Sequence, residues 1–197
     1  MPYLNRPLPR RPPFPIVQVS SVSFQAFYAA IESEELRVVA RHWVAARGGR
    51  RMPAWRDIDP IEIGRSLRYV WSWKYDRATD AFIGRLAGEE IDRAFGKSLR
   101  GMRMEEFYTP EIYHLAYPRH RRVVTGPGFM RGKGMVFVRL GLSAIGERIV
   151  LPLSENGVEA DGIIGGTYYR AAPEPLAGRA PGQDLGPEEA VFFPLDS

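Results

Sequence analysis

The 197-residue chain contains no cysteine. That excludes disulfides, thiolate zinc sites, iron–sulfur clusters and the cysteinyl adduct by which some light sensors hold flavin. No apolar run approaches the ~20 residues needed to cross a bilayer, and the proline-broken start lacks the continuous apolar stretch of a secretory signal. No transmembrane segment is expected, and the expected location is cytoplasmic. Histidine is scarce at three residues, and the net charge is only +4, from 27 basic and 23 acidic side chains. So modest a balance argues against a general nucleic-acid binder. The exception is Arg6 to Arg51, with eight arginines against three glutamates. Such a bias would suit an acidic partner, although a solvated surface is its commoner use.

What is present is enough apolar residue, 45% of the chain, for one domain of ~100–200 residues with terminal extensions. Residues 1–15 hold six prolines and three arginines and are expected to be a disordered arm. Arg6 to Pro12 matches the spacing of a polyproline ligand, a short pattern common by chance. Residues 16–33 read as an N-terminal helical extension, in which Phe24, Phe27, Tyr28 and Ile31 fall at i, i+3, i+4 and i+7 as one apolar stripe. The proline and glycine of 171–197 mark a tail, within which Ala190 to Leu195 can pack back through Val191, Phe192 and Phe193.

Between these extensions the helix signals are specific. Leu36, Val39, Ala40, Trp43 and Arg47 share helical spacing, with Ser33 as cap and Glu34 and Glu35 in the first turn. Gly48 and Gly49 end that helix, and Asp59-Pro60 opens another. Thr109-Pro110-Glu111 starts a third, which Pro118 should kink or divide. Arg68 to Tyr75 alternates as a strand, placing Tyr69, Trp71, Trp73 and Tyr75 on one face, and Ala81 to Ala87 returns as its hairpin partner. Further strands are expected within Gly128 to Leu142, at Glu147 to Ser154 and at Gly162 to Arg170.

The motifs that suggest chemistry have simpler structural explanations. Asp57 and Asp59 are accounted for by loop hydrogen bonding and helix capping, so no catalytic residue is assigned and no enzyme is expected. His114 and His120 are six apart and miss the spacing at which one helix presents two metal ligands. Surface or packing roles are favoured for the histidines, with no metal site and haem disfavoured. His114 is the best placed of them for an axial haem ligand. Gly126 to Gly134 lacks the spacing and the Ser or Thr of a phosphate-binding loop.

Arg47-Gly48-Gly49, Pro53 and Asp57-Ile58-Asp59-Pro60, with Arg85-Leu86-Ala87-Gly88 downstream, resemble a family of bacterial PAS-like sensory domains. The resemblance covers Glu34 to Arg170. It implies an α+β fold in which a five-stranded antiparallel sheet is gripped by helices, here over 34–170. It further implies a sensory or adaptor role in signal transduction, with a small-molecule ligand, a signalling protein partner or both. No kinase, cyclase or DNA-binding segment accompanies the domain, so a stand-alone module is expected. A ligand-free interaction domain and, less favoured, a small enzyme using the cavity are the alternatives. The residues expected to line a pocket or partner face are Tyr69, Trp71, Trp73, Phe82, Leu86, Phe95, Phe107, Met135, Phe137, Leu151 and Ile164, with core packing as the competing role for each. Phe24, Phe27, Tyr28 and Ile31 are expected to cover the outer sheet face or to join a homodimer. No cofactor is evident.

Overall fold

The computed structural model describes residues 22–139, 142–171 and 189–195. The arm over 1–15 and most of the tail after Ala171 lie outside the described residues.

Local capping chemistry sets the element boundaries in the first half of the chain. Helix α1 (Val22–Ala30) is followed by α2 (Glu34–Arg47), whose N-cap Ser33 accepts from the Leu36 amide through Oγ. Helix α2 stops at Gly48, with φ 55° and ψ −128°, a conformation that a side chain disfavours. Asp57 ties down the loop that follows, accepting from the Ala54 amide at 2.7 Å and pairing with Arg50 at 2.8 Å. Asp59 then accepts from the Ile61 amide, and Pro60 opens the short helix α3 (Pro60–Ile63). The Asp59 amide donates to Nε2 of His42 on α2 at 2.9 Å, fixing one helix to the start of the other.

A 3-10 turn leads into the hairpin β1 (Val70–Asp76) and β2 (Ala81–Ala87). Helices α4 (Glu89–Phe95), α5 (Met104–Phe107) and α6 (Pro110–Thr125) come next, then β3 (Gly128–Arg139), β4 (Leu142–Leu153), β5 (Gly162–Ala171) and β6 (Glu189–Pro194). Pro118 sits inside α6 without dividing it. The strands form one antiparallel sheet in the order β2-β1-β5-β4-β3-β6. This is one strand more than the five expected, because 189–194 pairs with β3 and sets Phe193 opposite Phe129. Among the described residues no helix is long and apolar enough to cross a membrane.

Both faces of the sheet are covered. Helices α1 and α2 lie on one, here the α2 face, and α4, α5 and α6 lie on the other, the α6 face. Two adjacent glycines of β5 make the close approach possible on each side. A Cβ on Gly166 would fall 2.6 Å from Leu36 Cδ2 of α2, and one on Gly165 would fall 2.3 Å from the Trp71 ring on the opposite face. Helix α1 is held by an aromatic cluster in which Phe27 stacks on Phe129 at 4.9 Å, Phe24 meets Phe129 edge-on at 5.4 Å and Phe27 meets Phe193 at 5.6 Å. Phe24, Phe27 and Ile31 are buried within the chain by this packing, and Tyr28 bonds through its hydroxyl to Arg41 of α2. Within the chain the stripe thus packs against the sheet.

The turn between α1 and α2 is fixed by charge. Glu147 of β4, 5% exposed, accepts from the Glu32 amide at 3.0 Å and the Ser33 amide at 2.8 Å, while Arg131 Nε donates to it at 2.6 Å. Glu32 in turn binds Lys133 and Arg131 of β3. Removing one partner of a buried, hydrogen-bonded pair leaves the other uncompensated. Glu147→Ala is therefore expected to cost about 3 kcal/mol in urea unfolding. Hydrogen exchange should also show the Glu32 and Ser33 amides losing protection, whereas those of β1 and β2 keep theirs.

Candidate functional site

Strand alternation places Trp71, Trp73 and Tyr75 of β1 on the α6 face, joined there by Phe82 of β2, Arg148 of β4 and Thr167 and Tyr169 of β5. The helices answer with rings of their own. Trp73 meets Phe107 at 5.7 Å and Tyr108 at 6.1 Å, and Phe95 packs on Phe107 at 4.6 Å. His120 of α6 lies edge-on to Trp71 at 5.2 Å and to Phe82 at 6.1 Å. It therefore contacts the side chains flanking Trp73 along the hairpin.

Most of the polar groups on this face are paired. Trp71 Nε1 donates to Thr167 Oγ1 at 2.9 Å, Arg148 Nε donates to the same oxygen at 3.2 Å, and the Tyr169 hydroxyl donates to the Glu90 carbonyl of α4 at 3.0 Å. Two are not. Trp73 Nε1 and His120 Nε2 are buried without a hydrogen-bond partner, on side chains 0% and 1% exposed. Leaving a buried donor or acceptor unpaired costs on the order of 1–3 kcal/mol each, so such groups are rare.

The state of His120 follows from its other nitrogen. Nδ1 is 2.6 Å from the Ala116 carbonyl, which can only accept, so Nδ1 carries the hydrogen and the neutral ring leaves Nε2 as a bare lone pair. Burial holds the ring neutral and pushes its pKa down to about 3, with the positive charges of Arg148 and Arg119 adding to the shift.

Helix α6 is clamped to the β1–β2 turn by Asp80, the one residue other than glycine with positive φ among the described residues, at 50°. Its carboxylate accepts from the Tyr75 hydroxyl and from Arg121 Nε, the latter at 2.9 Å, and its carbonyl accepts from the Tyr117 hydroxyl at 2.8 Å. The bonds from Tyr75 and Arg121 bring the Asp80 carboxyl down to about 2. Burial and the neighbouring Asp80 raise the Tyr117 hydroxyl to about 12. In its last turn α6 is also held by Arg77, whose Nη2 reaches the Val124 carbonyl, and by the Arg122 guanidinium, 4.0 Å above the ring of Phe192 in β6.

The side chains grouped from the sequence as one pocket or partner face divide between several places. Trp71, Trp73, Phe82, Phe95 and Phe107 converge on the α6 face. Leu86, Leu151 and Ile164 lie on the α2 face, because β2 carries a bulge at Arg85 that pairs Leu86 with Ser72 and breaks its phase with Phe82, while Ile164 faces Ser72 and Leu151. Tyr69 departs from the Trp71 face as well. It ends the 3-10 turn rather than opening the strand, and its ring packs on Tyr168 at 5.2 Å. Met135 and Phe137 belong to β3, and their side chains lie outside the described residues.

The histidine best placed for haem on the sequence, His114, is exposed on α6. The buried one is His120, in the stripe Ala116, His120, Val123 and Val124. Thr167, Arg148, Tyr117 and Tyr169 were not anticipated as parts of this face. The helical spacing of Ala116, His120 and Val124 was the available signal for His120, whereas Thr167 and Arg148 depend on strand register. Among the described residues no group of three or more His, Asp and Glu side chains is placed to hold a metal ion.

A family model described as PAS domain matches residues 31–166. No curated protein matches the chain.

Because His120 is neutral in the fold and its ordinary pKa is 6.5, acid favours the unfolded chain, which takes up the proton first. Stability from this group is complete above the ordinary value and declines as the pH falls towards the folded one. Between roughly pH 7 and pH 5 the loss should be about 2 kcal/mol. Chemical unfolding of His120→Phe over that range should lack this part of the slope.

Proposed function

The chain belongs to the PAS domain family, and we propose that it acts as a sensory domain of signal transduction whose input is a small molecule held on the α6 face of the sheet. The observation that carries this reading is the presence of orphaned groups on two buried side chains of this face, Trp73 Nε1 and His120 Nε2. A donor and an acceptor buried at this cost need a reason, and binding on this face supplies one. Output passes to a protein partner through the packing of the helices against the sheet. A ligand can bias that packing only by its different affinity for the two arrangements. PAS domains are in general sensory rather than catalytic, and no reaction is proposed. The place of action proposed is the cytoplasm, with no nucleic acid as partner.

A second reading is a domain that docks a protein without any ligand. It is favoured by the filling of the sheet centre, where Trp71 lies over Gly165 and Leu99 crowds Gly84 so closely that a Cβ there would meet the Leu99 carbonyl at 1.9 Å.

The two readings separate by direct measurement. Native mass spectrometry of the purified chain should show a small molecule retained without a covalent bond, or a metabolite library should contain a compound that raises the melting temperature. A ligand present at about 100 times its Kd stabilises the fold by about 2.7 kcal/mol, which is readily seen. A chain that carries nothing and is indifferent to the whole library would favour the ligand-free reading.

A further inference from the structure

Where α3 begins, one hydrogen bond depends on the protonation state of its acceptor. The Asp59 amide donates to His42 Nε2 at 2.9 Å, and a ring nitrogen accepts only while it carries no hydrogen. We infer that His42 is a proton-operated latch, which holds the first turn of α3 against α2 while the ring is neutral and releases it in mild acid.

The bond fixes the tautomer. With Nε2 accepting, the hydrogen of the neutral ring sits on Nδ1. A proton added to Nε2 turns the acceptor into a donor, so two N–H groups then face each other and the bond is lost. The same proton draws carboxylates towards the ring. Asp59 and Glu62 are the charged groups that act on His42, and both favour the imidazolium, whereas burial of the ring opposes it and prevails. The other charges on the elements around this part of α2 are engaged with one another, Asp57 with Arg50, Arg56 with Glu155, Arg68 with Glu90 and Arg41 with Glu34, while Arg51 and Arg65 add nothing to the shift of the ring. An Asp59 carboxylate drawn to the imidazolium leaves the Ile61 amide, which it caps at 2.8 Å. Asp59 thus holds α3 by its amide on His42 and by its carboxylate on Ile61, and protonation works against both.

The segment that can move is bounded on either side. Upstream, Asp57 holds the Ala54 amide at 2.7 Å, and the Pro53 carbonyl accepts from the Ser154 amide at 2.9 Å. Downstream, Ile63 is buried in the core. Asp59, Pro60, Ile61 and Glu62 between them are exposed, so release frees these residues without unpacking the sheet. Burial holds the pKa of His42 below its ordinary 6.5, so the latch is closed at neutral pH. Its contribution to stability is complete above the ordinary value and is lost as the pH falls through the folded one.

Nitrogen and amide resonances of the full chain, followed from about pH 7.5 to about pH 4.5, test the latch. At the upper end His42 Nε2 should be bare and Nδ1 should carry the hydrogen. The Asp59 amide should shift with the midpoint of the ring itself, below 6.5, and its protection from hydrogen exchange should fall about tenfold across that midpoint, the effect of losing one hydrogen bond. Protection of the Ile61 amide should fall with it, while the Ala54 and Ser154 amides keep theirs. His42→Gln, whose side-chain oxygen accepts without titrating, should keep the Asp59 amide protected at both ends of the range, and His42→Phe should leave it unprotected at both. Should a variant fail to fold, the titration of the unsubstituted chain decides. A hydrogen on Nε2 at the upper pH, an Asp59 amide that ignores the midpoint of the ring, or an equal step in His42→Gln would each overturn the inference. Loss of protection at all four amides together would mean general unfolding and would overturn it as well. The latch needs no ligand on the α6 face, so its failure would leave the small-molecule reading as it stands.

Discussion

The carboxylate of Glu147 stands where the chain turns between α1 and α2, and its bonds decide where both helices go. A carboxylate at this depth carries a desolvation cost of several kcal/mol unless its lone pairs are met. Here they are met by two backbone amides of the turn and by Arg131, while Lys133 and Arg131 hold the neighbouring Glu32. The amides come from the residues just before α2, where a helix start leaves N–H groups free, so one acid satisfies both a strand and a helix terminus. With the turn fixed, α1 runs onto the Phe129 and Phe193 rings and α2 runs over β5. The second course places Leu36 against Gly166, where any larger residue would collide, and brings Trp43 Nε1 to the Pro152 carbonyl at 2.7 Å. The α2 face is in this sense a single solution built outward from one buried charge.

The two faces differ in which of their polar groups are matched. On the α2 face the buried indole of Trp43 has its acceptor and the buried carboxylate has its donors, while the Ser72 hydroxyl, Arg47 Nε of α2 and Arg51 Nε of the loop after it are unpaired. On the α6 face one tryptophan is paired and the next is not, although both come from β1 two residues apart. Trp71 finds Thr167 because β5 lies beside it in register. Trp73 stands opposite Ile163 and Gly84, neither of which can accept through a side chain. The orphaned donor is therefore a property of strand register and cannot be relieved by a change of rotamer in its cross-strand neighbours.

The same dependence explains what could be read from the sequence. Ser33, Asp59 and Thr109 declare their helices because a cap is a local bond between residues two or three apart. Phe24, Phe27 and Ile31 declare a buried stripe for the same reason, although whether it met the sheet or a second chain depended on Phe129, about a hundred residues away. The α+β architecture was legible from such patterns and from the resemblance at 47–60. Leu86 parts from Phe82 because a bulge is not written in alternation: the two are four apart and would share a face in a regular strand. Residues 189–194 pair with β3 as an additional strand in which Phe192 meets the Arg122 guanidinium on one face and Phe193 the Phe27 ring on the other, a long-range match that spacing alone does not reveal. His120 was visible in the helical period of α6, yet its importance lies in a nitrogen that nothing contacts, and an absent partner leaves no mark in a sequence.

Helix α6 carries His120, so the attachments of that helix determine what a molecule on the site could move. Its contact with the β1–β2 turn runs through Asp80, which is solvent-exposed, so those bonds are screened and give way more readily than the packing of Val123 and Val124. Its contact with β6 runs through Arg122 on Phe192, and the next residue, Phe193, touches Phe27 of α1. A shift of α6 that loosened the Asp80 clamp would therefore be felt first along β6 and at the end of α1 that rests on it. The other end of α1 would stay put, since Glu147 pins the turn beyond Ile31 to β4. Helix α1 is thus fixed at its C-terminal end by charge and held along its length by rings, an arrangement in which a disturbance from the opposite face tilts the helix rather than releasing it.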